Sequence, residues 1–260
     1  MVTTIPVLEV DPDLADGIAE PRLSGALRSC RARAVEIRHG RWDLNDLNGE
    51  RSGFGLLVVS GILCRRVVQG ESNGAEVLGP GDLLRPWEGI GDWTSIPTEA
   101  SWKVLEPGRL AILDSGFVQR ASAYPEVSIA LVRRALQRSR YLTVLIAIIS
   151  QRRIETRLTM LFWHLADRFG HVSGDWVEIP VPLTHGILAE LVAARRPSVT
   201  TALSHLYSRG VLQRAPRGWR LRGTVPPELL EVQGVGASGE AGRTPGVPSS
   251  SSLETASPSA

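Results

Sequence analysis

A chain of 260 residues with 43% hydrophobic side chains and a net charge of +2 can build a core of its own, which excludes collagen-like, low-complexity and disulfide-stapled classes. Two cysteines, Cys30 and Cys64, cannot form a four-cysteine metal site, and the longest apolar run, Val144 to Ile149, falls far short of the roughly twenty residues of a membrane span. The small net charge conceals a segregation: residues 1–114 hold 12 basic and 17 acidic side chains, residues 115–222 hold 16 and 6, and residues 223–260 hold 1 and 4. A basic module between acidic ones suits either a phosphate-bearing partner or long helices carrying solvated arginines.

Residues 1–30 read as an N-terminal extension, acidic over residues 1–20 and unlike a secretory signal, so a cytoplasmic chain is expected. Over residues 31–115 the pattern is one of short strands. Phe54 to Ser60 and Ile62 to Gln69 are apolar, β-branched runs separated by Gly61, and Gly70 to Gly74, Gly79 to Asp82 and Pro107-Gly108 supply turns before a strand at Leu110 to Leu113. This spacing predicts an antiparallel barrel or roll.

Residues 116–150 turn helical. Val127, Leu131, Ala135 and Leu142 form a stripe, and from Tyr141 the helix is apolar on nearly every side, which needs two partners: the chain's own domain and, on the favoured reading, a second copy of the chain. A helix from Arg152 to Phe169 follows, with Gly170 suited to a left-handed cap, and then a short strand through Val177, Ile179 and Val181. Residues 223–260 are rich in Pro, Gly and Ser and predict a disordered tail.

The most specific signal lies in residues 184–222, within the expected domain 151–222. Thr184 can cap a helix whose apolar face is Ile187, Leu188, Leu191 and Val192, and Ala193 to Arg195 form a tight connection. A second helix starts at Pro197, packs Val199, Ala202, Leu203 and Leu206 inward, and leaves Ser198, Thr200, Thr201 and Ser204 outside. Two strands around Ala215 to Gly218 make a wing. Seven arginines against the single acid Glu190 give this segment a local charge of +6. A winged helix-turn-helix on DNA is the leading reading, and a small-molecule-sensing roll whose winged helix serves protein assembly is the alternative.

The segment LTHGILAELVAARRPSVTTALSHLYSRGVLQRAPRGWRL, preceded by RLTMLFWHLADRFG, resembles the effector domain of the Crp/Fnr superfamily of bacterial transcription regulators. Upstream, LLVVSGILCRRV and EVLGPGDLLRP resemble its β-roll sensor domain, and residues 117–150 resemble its dimerisation helix. The resemblance implies an α+β protein: an antiparallel, cyclic-nucleotide-binding-like roll, a long dimerisation helix and a C-terminal winged helix-turn-helix. It implies double-stranded DNA as partner, a homodimer on a near-palindromic operator, and contact with RNA polymerase. The DNA-facing residues it indicates are Thr184, His185, Arg195, Arg196, Ser198, Thr200, Thr201, Ser204 and, in the wing, Arg217. Arg196 falls where family members read guanine with a guanidinium, but Pro197 disfavours a helical Arg196, so a phosphate contact from a capping position stands as the second reading.

Cyclic-nucleotide-binding members carry a Gly-Glu pair and then an Arg-Ser/Thr-Ala stretch, where this chain has Arg85-Pro86 and Pro97 to Ala100. The ribose-binding carboxylate and the phosphate-binding arginine are both missing, with Glu99 close by, so no tight cyclic AMP binding is expected. Arg85, Trp87 and Trp102, with Trp93 nearby, are candidates to line a site for an anionic or aromatic effector; as core and rim of the roll they need no ligand. No cofactor or metal is called for: His39, His164, His171, His185 and His205 are scattered and read as surface or helix residues, although haem needs only one His and one further ligand. No Walker loop, His-Glu-x-x-His or Gly-x-Ser-x-Gly is present, and no enzyme is expected.

Overall fold

The computed structural model of the protein describes residues 3–43, 47, 53–70, 72–86 and 99–225, and residues 1–224 form one compact unit. The expected tail falls almost wholly on residues 226–260, outside the described residues.

The first part of the chain runs β1 (Thr3–Pro6), α1 (Val7–Val10), a 3-10 turn at Pro12–Ala15, α2 (Arg22–Ser29), β2 (Arg31–Ile37), β3 (Gly40–Trp42), β4 (Gly55–Gln69), β5 (Ser72–Leu78), β6 (Leu83–Leu84) and β7 (Glu99–Leu113). The strands make one antiparallel sheet in the order β1-β2-β7-β4-β5, with β3 on β7 and β6 on β4. Its concave face encloses Ile37, Trp42, Leu56, Val58, Leu63, Leu78, Leu84, Trp102, Val104, Leu110 and Ile112.

The two runs read as separate strands around Gly61 are one strand, β4, and Pro107-Gly108 lies inside β7 rather than in a turn. The register steps from Ser60 opposite Arg109 to Ile62 opposite Glu106, so Gly61 faces Pro107 and Gly108 across a bulge. There Pro107 gives up no regular ladder bond, and Gly61 takes a φ of +89°. A Cβ on Gly108 would sit 2.0 Å from the Ser60 carbonyl oxygen, so close approach of the two backbones, not a chain reversal, requires glycine. The bulge bends both long strands and rolls the sheet.

The N-terminal segment is built into the roll. Ile5, Val7, Leu8, Leu14, Ile18 and Ala26 are buried with Leu57, Ala111 and Leu113 of the sheet's outer face and with Phe117, Val127 and Leu131 of the following helices. The helix expected over residues 116–150 is two helices, α3 (Ser115–Ala121) and α4 (Pro125–Ile149). Pro125 supplies the break: it favours the start of α4, and Tyr124 before it sits outside the helical region at φ −131°, ψ 76°.

The C-terminal part comprises α5 (Ile154–Phe169), β8 (His171–Ser173), β9 (Trp176–Ile179), α6 (His185–Leu191), α7 (Arg196–Ser208), β10 (Leu212–Ala215) and β11 (Gly218–Arg222). Gly170 ends α5 at φ −78°, not in the left-handed region; a Cβ there would lie 2.5 Å from the Ala166 carbonyl oxygen. β9 pairs with β11, so the wing is half of a four-stranded sheet in the order β10-β11-β9-β8. The core of this part is continuous with Ile62, Cys64, Ala75, Val77 and Leu105 of the roll. Arg168 of α5 seals the contact, pairing with the buried Asp82 carboxylate in the Gly79–Asp82 turn and donating to the Val77 carbonyl at 2.9 Å.

Candidate nucleic-acid interface

Thr184 caps α6 as its sequence position predicts: the backbone is extended and Oγ1 accepts from the Ile187 N–H at 3.3 Å. α6 then buries Ile187, Leu188, Ala189 and Leu191 and stops at Val192. The turn passes through Ala193 at φ +48°, a left-handed conformation in a residue with a Cβ. Arg157 of α5 holds it, donating to the carbonyls of Val192 at 3.0 Å and Ala193 at 3.2 Å while its Nε donates to the Gln151 carbonyl ahead of α5 at 2.6 Å. One guanidinium thus satisfies carbonyls that the end of α6 leaves without helical partners.

α7 begins one residue earlier than the sequence suggests. Arg195 is the N-cap, at φ −75° and ψ 139°, Arg196 is the first helical residue and Pro197 the second. The restriction on a residue before proline is a preference, and in a first helical turn the missing N–H removes no bond, so Arg196 joins the helix. Val199, Ala202, Leu203 and Leu206 are buried, while Arg195, Arg196, Ser198, Thr200, Thr201 and Ser204 are exposed. The hydroxyls of Thr200, Thr201 and Ser204 donate back to the carbonyls of Arg196, Pro197 and Thr200 at 3.0–3.2 Å, so their lone pairs face outward as acceptors. His185, at the start of α6, reaches Thr200 with Nδ1 3.0 Å from Oγ1. Partial burial, and then the charges of Arg214 and Arg196, hold its imidazole below its ordinary pKa.

A tryptophan organises the elements behind this face. Trp219 of β11 is fully buried, donates from Nε1 to the Leu183 carbonyl at 3.2 Å, and packs against Phe162 of α5 and Tyr207 of α7. Arg214 stacks on the same ring and also donates to the Leu183 carbonyl, at 2.9 Å. Sequence reasoning missed Arg157 and the Trp219 hub, because neither a lone arginine in an amphipathic helix nor a wing tryptophan announces a tertiary partner.

The seven arginines of residues 184–222 do not act as one patch. Arg209 and Arg217 lie against the carboxylates of Glu155 and Glu106, Arg220 bonds to Gln213 and covers Trp176, and Arg222 covers the same ring. The guanidinia of Arg195 and Arg196 make no hydrogen bond or ion pair to the described residues. Arg217, expected at the wing's DNA face, is 3.0 Å from Glu106 of the roll.

Of the candidate effector residues, Trp102 is buried in the roll interior with its ring edge-on to Trp42 and the Arg65 guanidinium over it. Arg85 is exposed just after β6, Glu99 is exposed at the start of β7, and Trp87, Trp93 and residues 97–98 lie outside the described residues. Between the roll, α4 and α5 a cavity of about 20 Å³, lined in part by Glu76, Arg138, Tyr141 and His164, has room for about one water. Among the described residues no group of His, Cys, Asp and Glu is disposed to hold a metal ion, and no helix is long and apolar enough to cross a membrane.

A capped first helix, a pinned turn, a second helix with an exposed polar face and a wing on one sheet together define a DNA-binding transcription regulator. Residues 156–229 match the Crp-like helix-turn-helix domain family. The fold resembles a cyclic nucleotide-binding domain containing protein from Listeria monocytogenes EGD-e, at 18% identity and a TM-score of 0.58 over 73% of this chain and 88% of that one. It also resembles a CooA mutant from Carboxydothermus hydrogenoformans, at 16% identity and a TM-score of 0.58 over 86% and 94% of the two chains. FixK2 from Bradyrhizobium japonicum matches at 13% identity and a TM-score of 0.56 over 79% and 99%. No curated protein sequence matches the chain. Residues 156–229 thus form a Crp-like helix-turn-helix domain, and the fold of the chain as a whole, with a roll of cyclic-nucleotide-binding-like fold ahead of that domain, is similar to those of the three proteins named.

Proposed function

We propose that the protein is a cytoplasmic regulator that binds a near-palindromic duplex operator as a homodimer, with α7 of each protomer in a major groove and half-sites about one helical turn apart. The observation that carries this reading is the exposed face of α7: two arginines at its start whose guanidinia have no partner among the described residues, followed by hydroxyl groups that present acceptors. A guanidinium reads guanine O6 and N7 together, and outward acceptors suit the amino groups of adenine and cytosine. Arg196 is helical and exposed, which supports base reading; Thr184 and Ser198 are assigned to phosphate.

Dimerisation rests on α4. It buries Val127, Ala130, Leu131 and Ile148 within the protomer and exposes Ile129, Val132, Leu136, Val144 and Ile146, each at least 44% accessible. Five large apolar side chains along one side of a helix are covered by a second copy of the same helix. The roll takes no cyclic AMP tightly: Arg85-Pro86 stands in place of the ribose-binding pair, and apolar side chains including Trp42 and Trp102 fill the interior. Contact with RNA polymerase completes the reading.

Titration of duplex fragments selected from the protein's own genome tests it. The observed association constant falls steeply with salt, and a sequence-specific remainder persists over random duplex. A flat salt response, or equal affinity for selected and random DNA, overturns the reading. Arg196→Ala relaxes preference at one base pair per half-site, with a penalty of about 1–3 kcal/mol; uniform weakening across sequences would assign the side chain to phosphate.

A further inference from the structure

His185 sits at the seam between the two helices of the motif, and its hydrogen bonding fixes its tautomer. Thr200 Oγ1 has one hydrogen and donates it to the Arg196 carbonyl at 3.1 Å. The same oxygen lies 3.0 Å from His185 Nδ1, so Nδ1 is the donor in that contact and carries the ring's hydrogen. In the neutral ring Nε2 then holds a lone pair, and it has no hydrogen-bond partner among the described residues.

The groups around the ring are Arg214 from β10, Arg196 and Thr200 from α7, and the uncharged Trp219 ring from β11, with no carboxylate among them. Partial burial and two guanidinia with no acid beside them disfavour a further positive charge, which holds the imidazole of the free protein below its ordinary pKa. A DNA backbone reverses both terms. Its negative charge offsets the field of the two guanidinia, and a phosphate oxygen offers an acceptor, which the lone pair on Nε2 repels and a hydrogen there would satisfy.

Resting on the reading of this face as the DNA interface, we propose that His185 contacts a backbone phosphate as an imidazolium, so that each protomer takes up one proton from solvent at Nε2 when it binds DNA. Nδ1 keeps its bond to Thr200 throughout, and the added proton lies in the new N–H···O bond to phosphate. Proton uptake on binding makes affinity rise as pH falls, by up to tenfold per pH unit per protomer, between the pKa of the ring in the free protein and the higher value in the complex.

The experiment is a titration of the full-length chain with its selected duplex at constant ionic strength from pH 5.5 to 8.0. The expected result is a fall in affinity as pH rises that is abolished in H185Q, whose amide can still reach Thr200, and in H185R, whose charge is permanent. H205Q, which alters the other histidine of the motif, keeps the wild-type slope. A pH-independent wild type, a slope that survives in both His185 variants, or one lost in H205Q overturns the proposal while leaving specific DNA binding intact. A chain that selects no sequence at any pH overturns the functional reading, and this proposal with it.

Discussion

Arg157 and His164 lie two turns apart on α5 and show how single side chains set the behaviour of the DNA-binding part. Arg157, itself anchored to the Gln151 carbonyl, uses two carbonyl bonds to hold a turn in which Ala193 occupies left-handed space, a conformation that costs roughly 1–2 kcal/mol for a residue with a Cβ. The placement of Arg195 and Arg196 therefore depends on a residue of α5, outside the two helices of the motif. His164 packs against Tyr141 of α4, and burial first, then the charge of Arg168, lowers its pKa to about 4 from 6.5. The unfolded chain takes up this proton near pH 6.5 and the folded chain refuses it until about pH 4, so stability present above pH 6.5 is lost as pH falls towards 4. Thermal unfolding of the wild type should show a midpoint that drops between pH 7 and 4.5, and H164Q should drop less. Parallel curves for the two proteins would mean that the ring titrates equally in folded and unfolded chains.

At the scale of elements, α4 is the one whose two faces make opposite demands. Leu136→Glu changes an exposed position and leaves the buried residues Val127, Ala130 and Leu131 untouched. A dimer loses two buried leucines, about 3–6 kcal/mol in all, so the dimerisation constant should weaken by two decades or more while the circular dichroism spectrum is retained. Analytical ultracentrifugation reads this directly, and an unchanged oligomeric state would place the interface elsewhere. The elements that were legible in the sequence were those whose periodicity and caps agree. Thr184, the inward stripe Val199, Ala202, Leu203 and Leu206, and the wing appear where residue spacing puts them. Gly61 and Pro107-Gly108 misled because a bulge and a turn use the same residues, and only the opposing strand distinguishes them. The entry of β9 into the wing sheet, and the burial of Val7, Leu8 and Leu14 against α4, are tertiary pairings that no local pattern encodes.

For the molecule as a whole, the charge segregation has an internal use that the sequence did not disclose. Asp11 and Asp13 pair with Arg134, Glu76 with Arg138, Asp82 with Arg168 and Glu106 with Arg217, so acids of the first half meet arginines of the second. Arg66 and Glu190 cross in the opposite sense. Of the arginines of residues 184–222, Arg209 and Arg217 are paired with carboxylates, and Arg195, Arg196, Arg214, Arg220 and Arg222 keep their charge for a polyanion. Because an exposed ion pair contributes only about 0–1 kcal/mol, Glu106→Gln should leave stability nearly unchanged yet free Arg217 for DNA. The expected outcome is a gain in affinity of no more than about fivefold at low salt, with about one additional unit per protomer in the dependence of log affinity on log salt. An unaltered salt slope would show that the wing arginine does not reach phosphate.

The Asp82–Arg168 contact bears on whether such regulators can be assembled from interchangeable parts. Both side chains are largely hidden from water, one in a turn of the roll and the other on the helix that carries the helix-turn-helix. A chimera joining this C-terminal half to a foreign roll would strand a buried guanidinium, and the reciprocal graft would strand a buried carboxylate, each at about 3–5 kcal/mol. The junction between the halves is thus a lock with its own key, and a functional exchange would have to carry the Gly79–Asp82 turn across with α5.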